Sequence, residues 1–284
     1  MYWIYDYPMW IIGTLFVTTF VAVTWIGIFL TRATVHSWLH RERRANEMVS
    51  LALSSYFVLY GILLGLLAVA TYQNYSTVGD IVDREASSLS ALYRDVCAYP
   101  QPIRSHLQDA LREYSRYTIV EGWEQQRRGV VPREGSRLIT AVLETLISFN
   151  PTTEREKIIH AETLRQYNTK VELGRARLSN VTTGLPPVLW WVVAFGALMN
   201  TILIWMQDME IHVHLILGAV LAAILGAVIF LIAELDHPFR GEVSIGPESI
   251  ARVYETVMKP DEPAADNVKS RAEEAARPGQ PKVP

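Results

Sequence analysis

Residues 48–72, MVSLALSSYFVLYGILLGLLAVATY, carry no charged side chain and pass without a Gly-Pro break into 73–95, QNYSTVGDIVDREASSLSALYRD. A hydrocarbon core of about 30 Å demands about 20 apolar residues of a helix, and the first segment supplies them. Past Tyr72, the residues Val78, Ile81, Val82, Glu85, Leu89 and Leu92 keep mostly helical spacing. The stretch predicts one long helix, half in lipid and half in water. Such a helix carries register and orientation across the interface, so the rest of the chain is placed relative to it.

Three further runs are long and apolar enough to span: Met9–Leu30, Leu185–Met206 and Leu215–Leu235. With 48–72 they form two pairs around a polar middle. Half of the 284 residues are hydrophobic and they cluster in these runs, so an all-α membrane protein is expected. The first run has no basic n-region, exceeds a signal-peptide core in length and lacks a small-residue cleavage site before Arg32, so it should stay in the mature protein. Cys97 is the only cysteine, which excludes an internal disulfide and a thiolate metal cluster. A net charge of −3, with no basic arm interleaved with aromatics, gives no nucleic-acid partner.

The expected division of the chain is as follows. Residues 1–47 hold an interfacial lead-in (Tyr2, Trp3, Tyr5, Tyr7, Trp10), the first span and a basic loop. Residues 48–72 form the second span and 73–184 an extramembrane helical domain. Residues 185–236 hold the third and fourth spans, 237–258 a corner and post-membrane segment, and 259–284 a Pro-, Ala- and charge-rich tail expected to be disordered. Within the middle domain, helices are expected at 103–126, 134–149 and 153–180, with Asn150-Pro151-Thr152 as a stop and restart.

In the second span Ser54, Val58, Gly61, Ile62 and Gly65 share one small, weakly polar face. Two readings stand side by side. The face is a helix-packing seam of the small-xxx-small kind, or it lines a pore whose aliphatic ring gates by dewetting. Gly218, Ala222 and Gly226 mark close packing of the fourth span. Asn200, the one strong polar group of the third span, is expected to bond a neighbouring helix. His36 and His40 stand at i, i+4 without a third ligand and read as interfacial histidines. Asp236-His237-Pro238-Phe239-Arg240-Gly241 reads as a folded corner at the membrane surface, because Pro238 cannot continue the helix and Gly241 permits a tight turn.

These features resemble a family. Tyr72-Gln73-Asn74-Tyr75, Glu85-Ala86, Leu92-Tyr93-Arg94, Leu185-Pro186-Pro187 with Trp190, and Asp236-His237-Pro238-Phe239-Arg240-Gly241 look like the bacterial bestrophin-like family, and more distantly bestrophins, which are pentameric anion channels. The resemblance implies a homo-oligomer, a pentamer, in the bacterial cytoplasmic membrane. It further implies membrane lipid and inorganic ions, anions above all, as partners, with the second helix lining a central hydrophobic neck at Ser54, Val58 and Ile62. Bestrophins hold calcium with an acidic run after this corner. Here Phe239 is followed by RGEVSIGPE, too few carboxylates for such a site, so no metal and no cofactor is expected.

Two topologies follow from two signals. Arg32, Arg41, Arg43 and Arg44 against the single acid Glu42 place the first connection in the cytoplasm, and hence the N-terminus and the helical domain outside. The resemblance implies that both are cytoplasmic. For function, absence of intramembrane carboxylates or lysines argues against a proton-coupled transporter. An enzyme is not expected, since His106, His160, Glu121 and Glu124 have no metal spacing, phosphate loop or nucleophile motif around them. An oligomeric ion channel is the leading expectation. The alternative is a non-conducting membrane scaffold or sensor whose helical domain binds a partner protein.

Overall fold

A computed structural model of the chain describes residues 8–39 and 43–260, with side chains at 8–37 and 45–260. The aromatic lead-in at Tyr2–Tyr7, His40, Arg41 and the tail from 261 onward lie outside the described residues. The helices are α1 (Met9–Leu39), α2 (Arg43–Val96), α3 (Ile103–Tyr117), α4 (Trp123–Arg127), α5 (Glu134–Ser148), α6 (Glu154–Ser179), α7 (Pro187–Trp205), α8 (Ile211–Leu235) and α9 (Glu248–Val253). A π-helical turn, Thr118–Gly122, joins α3 to α4, and another, Tyr254–Met258, follows α9. No strand occurs among the described residues. Four helices, α1, α2, α7 and α8, are long and apolar enough to cross a membrane.

The helix ends follow from local chemistry. Pro187 occupies the first position of α7, where its missing N–H is one that no helix uses. At the start of α6, Glu156 Oε2 accepts from the N–H groups of Thr152 (2.8 Å) and Thr153 (3.1 Å), and Glu156 N donates to Thr153 Oγ1 (3.2 Å). This is a reciprocal capping box, and its hydrogen bonds hold the Glu156 carboxyl below its usual pKa. One expectation needs correction. The stretch after Leu30 is not a loop but continues α1 to Leu39. Polar residues end the apolar run there, yet with no Gly or Pro between 28 and 39 the helix runs on past it.

The residues group into two compact units. The first takes the chain up to Ile81 with Glu124–Val131 and Arg175–Gly246; the second takes Val82–Trp123, Pro132–Gly174 and the chain from Pro247.

In the first unit α1 packs along α8, where the small residues of α8 meet large ones of α1. A Cβ on Gly218 would stand 3.1 Å from Ile28, and one on Gly226 would stand 3.3 Å from Phe20. The indole of Trp205 lies over Gly27 and donates to the carbonyl of Thr24 at 3.0 Å. Thr14, Thr18 and Thr19 return their hydroxyls to carbonyls one turn earlier. The buried arc of α2, with Tyr60, Leu64 and Leu67, meets Val193 and Ala197 of α7 and Leu225, Ile229 and Ile232 of α8.

In the second unit Leu107 and Leu111 of α3, Val142 and Leu146 of α5, and Ile250 and Met258 at the C-terminal end are fully buried. Arg112 is buried as well. Its Nε donates to the carbonyl of Met258 (3.2 Å) and its Nη2 to the hydroxyl of Tyr93 (2.7 Å). The deepest charges are Glu85 and Lys170, 3.6 Å apart. The Lys170 ammonium sits 3.6 Å from the centre of the Tyr114 ring, whose hydroxyl donates to Glu85 at 3.3 Å. Exposed charges pair locally along α5 and α6, as in Arg137–Glu134 and Lys157–Glu154.

Candidate functional site

The two faces of α2 differ in kind within the first unit. On the inward arc, the Tyr60 hydroxyl donates to Val193 O (2.7 Å) and the Tyr56 hydroxyl to Gly196 O (2.9 Å). The Tyr60 ring lies so close to Gly196 that a Cβ there would collide with it. On the outward arc stand Ser54, Val58, Gly61, Ile62 and Gly65, all exposed. Val58 is 61% and Ile62 57% accessible, and a Cβ added at Gly61 or Gly65 would meet nothing within 4 Å. All five residues named from the sequence therefore lie on one side of α2, and among the described residues nothing covers them.

The outward arc runs on past the apolar stretch. At 3.6 residues per turn, residues eighteen apart fall on one line of a helix. Ser76 thus follows Val58, and Asp80 follows Ile62. Val69, Tyr72, Ser76 and Asp80 are all exposed, so a single open strip passes from aliphatic to polar to acidic.

At the two ends of the α7–α8 pair, polar groups fix the connections. Asp236, buried at the C-terminal end of α8, accepts from the backbone N–H of Leu185 (2.5 Å) and from Trp190 Nε1 (3.3 Å). It thereby ties the exit of α8 to the entry of α7. The His237 ring is pressed against Gly184, and burial pushes its pKa below the usual imidazole value, with Arg240 adding to this and Asp236 opposing it. Pro238 accepts from Ile245 N (2.8 Å), Phe239 is fully buried, and Gly241 adopts φ +82°, which L side chains avoid. Arg240 donates to the carbonyl of Arg128 (3.1 Å). The corner is thus a structural clasp, with its acid turned to a backbone N–H and an indole and its base to a backbone carbonyl. Among the described residues, no three His, Cys, Asp or Glu side chains converge as a metal would need.

At the opposite end Asn46 and Asp208 exchange two hydrogen bonds of 3.0 Å, Ser50 donates to Gln207 (3.0 Å), and His36 Nδ1 stands 3.2 Å from Asp208. His36 is therefore paired with a carboxylate. Asn200 departs from expectation: it is fully buried and neither of its amide atoms has a partner among the described residues. The bonds between α2 and α7 are made instead by tyrosine hydroxyls to main-chain carbonyls.

The family profile described as Bestrophin-like domain matches residues 18–250. The chain belongs to the bestrophin-like family. The fold agrees: a bacterial bestrophin homologue from Klebsiella pneumoniae superposes with a TM-score of 0.64 at 14% identity, over 88% of this chain and 99% of that one. A point variant of such a Klebsiella pneumoniae homologue gives 0.64 at 12% identity over the same shares. A membrane protein variant gives 0.63 at 14%, over 86% and 96%. No curated protein matches the chain significantly. This bestrophin-like chain is an integral membrane protein, with four spanning helices in two pairs flanking a helical domain.

Several features of the bestrophin-like chain have weak sequence signals. Tyr56 and Tyr60, spaced i, i+4, point to a shared face, but their acceptors are main-chain carbonyls that no sequence pattern marks. Lys170 reads from sequence as an ordinary surface charge, whereas Glu85 already falls on the apolar spacing of α2 with Val82 and Leu89, and nothing in the sequence joins the two.

Proposed function

We propose that the chain is one subunit of an oligomeric ion channel in which α2 lines the pore. Ser54, Val58, Gly61, Ile62 and Gly65 line it, with the neck at Ser54, Val58 and Ile62. The observation that carries this reading is the outward arc of α2, exposed and aliphatic at Val58 and Ile62 while the opposite arc is packed into α7 and α8. A closed ring of identical subunits encloses such an arc around an axis, and the resemblance to bestrophins implies five of them in a bacterial cytoplasmic membrane. The lipid-facing surface is then supplied by exposed apolar residues such as Phe29, Trp191, Phe195 and Ile216. Residues 73–184 form the extramembrane domain.

A narrow ring of Val and Ile side chains holds few waters and opposes ion passage by dewetting. It carries no charge and does not choose between signs. Anions are the permeant ions that the resemblance implies.

The test is ion flux from liposomes holding the purified protein, comparing wild type with Val58→Ala and Ile62→Ala. Less bulk in the neck should raise or unlock flux while the oligomer stays intact. The second reading, a non-conducting scaffold or sensor, draws on the empty space before Gly61 and Gly65, which would equally admit a partner helix. Intact oligomers that conduct in no variant favour it.

A further inference from the structure

Where the chain leaves α2 and the first turn of α6 begins, a small hollow is lined by Ala98, Tyr99, Pro100, Phe149, Glu156 and Ile159. All six belong to the second unit. The enclosed part has room for about one water-sized group, and the mouth is open to solvent. We infer that this hollow binds the ammonium head of a small primary amine, with the amine's carbon stem against Tyr99 and Phe149 and its charge facing Glu156. The site is independent of the reading of α2 as a pore helix.

The lining favours a positive charge. Glu156 is its one acid, and none of the lining residues is basic. Of the two bases that flank Glu156 in sequence, Lys157 is paired with Glu154 and Arg155 is exposed. Glu156 Oε2 accepts from Thr152 N, Thr152 Oγ1 and Thr153 N, whereas Oε1 has no partner among the described residues. The carbonyls of Ala98 and Tyr99 also accept no hydrogen bond among the described residues. They follow directly on the C-terminal end of α2, which carries negative partial charge.

The same lining selects a carbon-bearing cation. The rings of Tyr99 and Phe149 stand 5.0 Å apart between centres and 56° apart in plane, and aromatic faces attract ammonium groups. Tyr99 is buried and its hydroxyl lies 2.8 Å from His160 Nδ1, so its ring is held in place before a ligand arrives. Such preorganisation favours binding. A bare metal ion needs oxygens on several sides, yet Ala98, Pro100 and Ile159 offer apolar side chains. A trimethylammonium head exceeds the enclosed room, whereas a primary ammonium fits it.

The experiment follows ethylammonium binding to the full-length protein in nanodiscs by saturation-transfer NMR and by melting temperature, with ethylammonium chloride replacing sodium chloride at constant ionic strength. Potassium chloride and ethanol serve as separate arms, and wild type is compared with Glu156→Gln and Phe149→Leu. Glutamine at this position retains an acceptor oxygen for the capping box, so Glu156→Gln should fold as wild type does. Wild type should bind saturably and melt higher. Glu156→Gln should weaken binding about tenfold through loss of the charge, and Phe149→Leu about threefold through loss of the ring face. No saturable binding by wild type, or binding that Glu156→Gln leaves unchanged, overturns the site. An equal rise in melting temperature with potassium or with ethanol overturns the assignment to an amine.

Discussion

The hydroxyl of Tyr60 on α2 donates to the main-chain carbonyl of Val193 on α7 at 2.7 Å, with the Tyr60 side chain buried. Such bonds between membrane helices are individually modest, about 0.6 kcal/mol on average and up to about 2. Tyr60→Phe keeps the ring and removes the bond. It should cost about 1 kcal/mol or less in detergent unfolding, because the Val193 carbonyl retains its place within α7. Gly196→Ala should cost more, about 1–3 kcal/mol, since its methyl group would enter the Tyr60 ring.

Gly61 and Gly65 give the opposite expectation. A methyl group at either position meets nothing within 4 Å among the described residues, so Gly61→Ala and Gly65→Ala should leave protomer unfolding unchanged or slightly improved, as alanine favours helix by up to about 1 kcal/mol over glycine. Any change they bring in oligomer mass by light scattering, or in flux, then reports on what lies beyond the protomer.

Lys170→Met should be among the most damaging single changes in the second unit. It leaves the Glu85 carboxylate buried without its ammonium, a change that costs about 3–5 kcal/mol when one partner of a buried pair is removed. The double variant Glu85→Gln with Lys170→Met should recover most of the loss in thermal unfolding. Double-variant stability no better than Lys170→Met alone would count against an ionised pair.

Asp95 supplies a pH-dependent test outside the membrane helices. Its Oδ2 is buried with no partner among the described residues. Burial raises its pKa first and the charge of Glu162 adds to this, while Arg165 opposes it. A carboxyl whose folded pKa is raised contributes stability that is fully present below its unfolded pKa of about 3.9 and is lost as pH rises through the folded value. Asp95→Asn should therefore raise the melting temperature at pH 7 and converge with wild type towards pH 4. A difference that does not shrink with falling pH would remove the ionisation as its cause.

Asp236→Ala should loosen the clasp between α7 and α8. The N–H of Leu185 and the indole of Trp190 both lose their acceptor, and a buried donor left unpaired costs about 1–3 kcal/mol. Asp236→Asn keeps an acceptor oxygen and should lie between wild type and alanine in the same unfolding assay.

The helices of this fold were legible wherever punctuation and periodicity agreed. Asn150-Pro151-Thr152 separates α5 from α6 close to the expected point, and the apolar run at 48–72 with its amphipathic continuation marks α2 as one helix. The extension of α1 to Leu39 was not legible, because hydropathy reports where lipid ends and not where hydrogen bonding ends. That Ser54, Val58, Gly61, Ile62 and Gly65 share one face could be read from spacing alone, since residues three and four apart lie side by side on a helix. What sequence could not say is which arc of α2 would be packed, as that depends on Gly196 admitting Tyr60.

The unbroken hydrogen bonding of α2 through all its 54 residues also constrains how such a chain can change length over generations. Each residue gained or lost between Ile62 and Asp80 would turn everything after it by about 100°, carrying the carboxylate off the open strip. Substitutions along this segment alter one side chain at a time, whereas a single-codon insertion re-aims all that follow. Length variation among descendants should therefore collect in the connections around 97–102 and 128–133 and leave this rod alone.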